Sequence, residues 1–100
     1  VTAVEDPVIH RVTLTVTDRQ LISIHPGGQI LSVAPTRDGR SSQIDMWFTT
    51  YPGRDIERRW IHIAGTGHPV PPGRFIGTVV TPAGLIWHVF EGNPQPEKEQ

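Results

Sequence analysis

Glycine- and proline-bearing turns, with one further turn at Thr17-Asp18-Arg19, cut this chain of 100 residues into seven short runs, and no run between them carries a helical period. His25-Pro26-Gly27-Gly28, Asp38-Gly39, Pro52-Gly53, Gly65-Thr66-Gly67-His68-Pro69 and Pro82-Ala83-Gly84 supply backbone angles, or stops, that a helix interior rejects. The runs between them alternate with a period of two instead. Val8, His10, Val12, Leu14 and Val16 fall on one side; Ile9, Arg11, Thr13 and Thr15 fall on the other. Further strands are expected over 20–24, 29–34, 43–51, 56–64, 75–81 and 85–90. Short strands at fairly even spacing predict an all-β chain, a small antiparallel β-sandwich or partly closed barrel of about seven strands. Residues 1–7 read as an N-terminal arm, 8–91 as a single β domain and 92–100 as a flexible polar tail.

Two runs say more than their length. In 43–51, Ile44, Met46 and Phe48 share one face, while Asp45, Trp47, Thr49 and Tyr51 share the other. Pro52 to Asp55 reads as a hairpin turn, which would set Trp60 on the strand beside Trp47 and Tyr51. That places Trp47, Tyr51 and Trp60 on one aromatic surface suited to a docking partner. The run 85–90 is apolar on both faces, as expected of a central strand or one covered by another subunit.

Composition narrows the function classes. The net charge is −1, so nucleic acid is not expected as a partner. No cysteine is present, which excludes disulfides, thiolate zinc sites and cysteine nucleophiles and leans towards a reducing compartment. No apolar run reaches the ~18 residues of a membrane helix, and no signal-peptide pattern opens the chain. A chain this short buries only ~60–65 % of the surface its unfolded form exposes. A homo-oligomer is therefore expected.

The chemistry-bearing residues leave several readings open. His62, His68 and His88 would form a metal site if they converged, but strand and turn histidines bonded to backbone are the plainer reading, and no metal or cofactor is expected. Asp45 and Glu57 resemble a carboxylate pair on neighbouring strands, where pairing with arginine is the ordinary role. No serine sits in a nucleophile turn, so no catalytic residue is assigned. The backbone amides of Gly65, Thr66, Gly67 and His68 could form an anion nest, with Arg54, Arg58, Arg59 or Arg74 supplying charge. Arg59, Arg74 and His68 are the side chains favoured for that ligand site.

The ordered series Thr17-Asp18-Arg19-Gln20, Pro26-Gly27-Gly28-x-Ile30-Leu31-Ser32-Val33, Ala64-Gly65-Thr66-Gly67-His68-Pro69, Phe75-Ile76-Gly77-Thr78 and Trp87-His88-Val89-Phe90-Glu91 resembles a family of small uncharacterised proteins encoded mainly by tailed bacteriophages and prophages. The resemblance spans residues 8–91. It implies an accessory protein in the host bacterial cytoplasm and implies no reaction, cofactor or catalytic residue. The expected function is non-enzymatic binding of a host protein. The alternatives are a nucleotide- or anion-sequestering protein using the Gly65–Pro69 loop, and a minor virion component.

Overall fold

The computed structural model describes residues 6–53 and 55–94. Seven strands follow one another: β1 (Val8–Thr15), β2 (Arg19–Ile24), β3 (Ile30–Pro35), β4 (Gln43–Thr50), β5 (Glu57–Gly65), β6 (Arg74–Val80) and β7 (Ile86–Pro94). They form two antiparallel sheets, a three-stranded one in the order β1-β4-β3 and a four-stranded one in the order β2-β5-β7-β6. The architecture is a sandwich and not a closed barrel. Among the described residues there is no helix, hence none long and apolar enough to cross a membrane.

Alternation explains how the sheets face each other. Leu14, Ile44, Met46 and Phe48 point inward from the first sheet; Ile22, Ile24, Ile61, Ile63, Val79 and Val89 point inward from the second. Each such side chain, fully buried, contributes about 1.5–3 kcal/mol. The expected buried face of the 43–51 run is therefore observed. The doubly apolar last run is β7, hydrogen-bonded between β5 and β6. It also continues to Pro94, into the stretch read as a tail; residues 95–100 and residues 1–5 of the arm lie outside the described residues.

Among the described strands only two connections are hairpins. Residues 36–42 join β3 to β4, with Gly39 at positive φ, and residues 81–85 join β6 to β7, closed by Thr81 N–H donating to Leu85 O at 2.8 Å. The turn at Pro52 to Asp55 is not a hairpin. β4 pairs with β1 and β3, whereas β5 pairs with β2 and β7, so this turn carries the chain from one sheet to the other. Trp60 is consequently not beside Trp47, and Asp45 and Glu57 are not on neighbouring strands. A reversal signal marks where the chain turns but not which sheet receives the next strand.

The connection from β5 to β6 is also unusual. Gly65 pairs with Trp87 and Arg74 with Glu91, with β7 lying between β5 and β6. Residues 66–73 must therefore travel back about 13 Å along β7 before β6 begins. Gly73 makes that passage possible. Its φ is +110°, and a Cβ there would stand 2.2 Å from the Glu91 carbonyl oxygen.

Candidate functional site

The residues singled out for ligand binding fall into two groups at opposite ends of β5. Arg59 and Gly65 are six residues apart, about 20 Å along an extended strand. The structure brings Arg59 and Arg74 together, and it brings Gly65, Thr66 and His68 together with His88, but it does not join the two groups into one pocket.

Arg59 points between the sheets and is 8 % exposed. Its Nε donates to Glu57 Oε2 at 2.7 Å, and its Nη1 donates to Glu91 Oε2 at 2.9 Å and to the Gly28 carbonyl at 2.7 Å. Arg74 Nη2 donates to the other Glu91 oxygen at 2.7 Å and reaches the Ile30 carbonyl at 3.5 Å. A shallow hollow lies over this cluster, lined by Gly28, Gln29, Ile30, Arg59, Arg74 and Glu91. Two arginines face two carboxylates, so the cluster is neutral. It ties the β2–β3 connection to β5, β6 and β7. Sequence reasoning missed Glu91, which shares a face with Val89 but stood one residue past the expected end of its strand.

At the other end, Gly65 N–H donates to His68 Nδ1 at 3.2 Å while His68 N–H donates to Gly65 O at 3.1 Å. The histidine thus closes its own turn. His88 is held between two hydroxyls, Thr66 Oγ1 at 2.9 Å from Nε2 and Thr78 Oγ1 at 3.0 Å from Nδ1. His62 lies one strand pair away beside Phe90. Among the described residues no three metal-ligating side chains converge, so His62, His68 and His88 do not form the ligand set considered from the sequence. Arg54 lies outside the described residues, and Arg58 stands on the outer face of β5, opposite in direction to Arg59.

Trp47 and Trp60, expected on one surface, divide between the two outer faces of the sandwich. Trp47 lies on the outside of the three-stranded sheet, opposite Arg11 and Ser32. Beside it Asp45 is fully buried, accepting from Thr13 Oγ1 at 2.7 Å and Arg11 Nη1 at 3.2 Å, so its role is the cross-strand arginine pair. Nearby, the Thr36 hydroxyl holds the exposed Asp38 carboxyl below its usual value. Tyr51 follows β4 and packs near Gly27, its N–H donating to His25 Nδ1 at 3.2 Å. Trp60 lies on the outside of the four-stranded sheet, a sandwich thickness away.

That second outer face is the more distinctive. Arg19 stacks over Trp60 at 4.6 Å from the ring centroid, and Trp60 leans on His62. Phe75 and Phe90 meet edge to face at 5.4 Å on the neighbouring strands. Leu21 pairs with Trp60, and Val80 with Ile86. Arg58 completes the face; its strand positions carry cations and histidines but no carboxylate among the described residues. Burial, and then the Arg19 guanidinium, hold His62 below the ordinary imidazole value. Of this surface the sequence yielded only Trp60. Alternation does place Trp60 and His62 together, but Phe75 and Phe90 join them only through the order β5-β7-β6.

The model of a family described as a domain of unknown function, DUF7352, matches residues 6–100, so the chain belongs to that family. No curated protein and no solved structure matches it.

Proposed function

We propose that this protein acts by binding another protein, with the outer face of the four-stranded sheet as its docking surface. The observation that carries this reading is a sheet face bearing Trp60, Phe75, Phe90 and Val80 with Arg19 and Arg58, and no carboxylate on that face among the described residues. Phe75 is 52 % and Val80 57 % exposed, although both stand on a strand whose other face packs into the core. Large apolar side chains clustered with arginine are the composition of a protein-docking patch. The partner that fits it presents apolar side chains flanked by carboxylates, since like charge across an interface is costly. The resemblance to phage-encoded proteins suggests a host protein in the bacterial cytoplasm as that partner, and a non-enzymatic accessory role. A minor virion component would dock by the same chemistry.

The anion-binding alternative has less support. The charges of Arg59 and Arg74 are already met by Glu57 and Glu91, and Arg59 lies about 20 Å from Gly65 along β5. The test is retention of host proteins on the immobilised chain. A genuine partner is held by the wild type, released by rising salt, lost with Phe75→Asp and with Arg58→Glu, and kept by Gln43→Glu on the opposite sheet. Equal retention by Phe75→Asp would sink the reading.

A further inference from the structure

The sandwich has four edge strands, and three of them are protected. β3 has a register break between Ile30 and Ser32 and ends on Pro35. β6 has a break between Phe75 and Gly77. β3 and β6 also close on each other: Arg74 reaches the Ile30 carbonyl, and a Cβ on Gly77 would stand 3.0 Å from Val33. β2 is short, six residues, and opens on a charge, Arg19. Proteins blunt exposed edges with such bulges, prolines, charges and short strands.

β1 has almost none of these. Its register with β4 is unbroken over eight residues, from Val8↔Thr50 to Thr15↔Gln43. It holds one charge, Arg11, and no proline or glycine, and its second edge pairs with no strand among the described residues. Val8 is 40 % and Ile9 65 % exposed. Between β1 and β2 the sandwich stands open over a hollow lined by Val12, Leu14, Leu21, Ile22 and Phe48.

Two hydrogen bonds fix which backbone groups face the open edge. Val16 N–H donates to Ser42 O, beside the start of β4, so even-numbered residues point to β4. The Thr15 carbonyl accepts from Gln20 Nε2 on β2, so odd-numbered residues point outward. In an antiparallel strand these directions alternate, which leaves Ile9, Arg11 and Thr13 free to pair.

We propose that β1 is a dimerisation strand: two copies of the chain pair β1 antiparallel about a twofold axis at Val12. That register sets Val12 against Val12 as a non-hydrogen-bonded pair. It sets Arg11 against Thr13 of the second copy and Ile9 against Thr15, whose carbonyl keeps a second lone pair beside the one that Gln20 takes. Shifting the axis to Arg11 would set two guanidinium groups face to face, which like-charge pairing disfavours. In the Val12 register Arg11 of each copy approaches the Thr13–Asp45 pair of the other, a favourable charge match. His10 falls against Leu14 of the second copy and helps to cover the open hollow. The result is one continuous six-stranded sheet with closed symmetry. It leaves the outer face of the four-stranded sheet untouched, so it stands or falls independently of the docking surface proposed above.

The test is mass by light scattering, together with two variants. The wild type is expected at twice the 11.1 kDa chain mass. Ile9→Pro removes an outward N–H without touching the β4 ladder, and a folded single-chain species is expected, with unchanged far-ultraviolet circular dichroism. Val12→Cys would be the only thiol in the chain; across a non-hydrogen-bonded pair it is expected to oxidise to a covalent dimer. Val70→Cys, on a distant loop, is expected not to. A single-chain mass at every concentration would overturn the proposal, even if the edge accepted an added peptide. So would a dimer in which Val12→Cys stays uncrosslinked.

Discussion

Arg59 enters the space between the sheets and finds three acceptors there: Glu57, Glu91 and the Gly28 carbonyl. Removing one partner of a buried, hydrogen-bonded charge cluster leaves the others desolvated without compensation. Arg59→Met should therefore lower unfolding free energy by about 3 kcal/mol, read by urea titration. Adding Glu91→Gln should recover part of the loss, because one uncompensated carboxylate is then gone. An Arg59→Met protein as stable as the wild type would show that the cluster contributes nothing. His62 makes a second residue-scale prediction. With its folded value held below the unfolded 6.5, the unfolded chain binds more protons than the folded one between those two values. Stability should fall as pH drops through that window and be insensitive to this group above it. Arg19→Ala should move the His62 imidazole titration, followed by NMR, back towards 6.5. No movement would mean that burial alone sets it.

The loop from 66 to 73 tests the same physics at the scale of an element. Gly67 and Gly73 both have positive φ, +96° and +110°, but only Gly73 lies against another strand. Gly67→Ala meets nothing within 4 Å and should cost about 1–2 kcal/mol of backbone strain. Gly73→Ala must also push a methyl group into the Glu91 carbonyl and should cost more than about 3 kcal/mol, or prevent folding. Equal melting temperatures for the two variants would refute the close passage over β7. The strands themselves were legible in the sequence because alternation and turn residues are local. Ile44, Met46 and Phe48 announced a buried face, and Asp38-Gly39 and Pro82-Ala83-Gly84 marked turns that the structure closes as hairpins. The partition into sheets was not legible. Pro52-Gly53 turns the chain as a hairpin would, and only non-local pairing sends Trp60 to the other sheet. The same ignorance hid the surface formed by Trp60, Phe75 and Phe90, whose members lie on three strands ordered β5-β7-β6.

The molecule as a whole joins its sheets through one core and through chain crossings, not through hairpins. β1 leads to β2, β2 to β3 and β4 to β5 across the sandwich, so neither sheet assembles wholly from consecutive strands. β1 waits for β4 and β2 waits for β5, pairings that each close a loop of some thirty residues before that ladder forms. Folding should accordingly be slow for so short a chain, in the millisecond-to-second range of all-β domains. The two sheets should also unfold together. Met46 is fully buried in the shared core, and Met46→Ala should cost about 2–5 kcal/mol by loss of transfer energy and creation of a cavity. Trp47 on one sheet and Trp60 on the other can each be left as a fluorescent reporter by replacing the remaining two tryptophans with phenylalanine. In both reporter backgrounds Met46→Ala should lower the urea midpoint by the same amount, although Met46 belongs to the sheet of Trp47 alone. A midpoint that moves for Trp47 and not for Trp60 would mean that the sheets are separate folding units, and that the inner faces contribute less to each other than their burial implies.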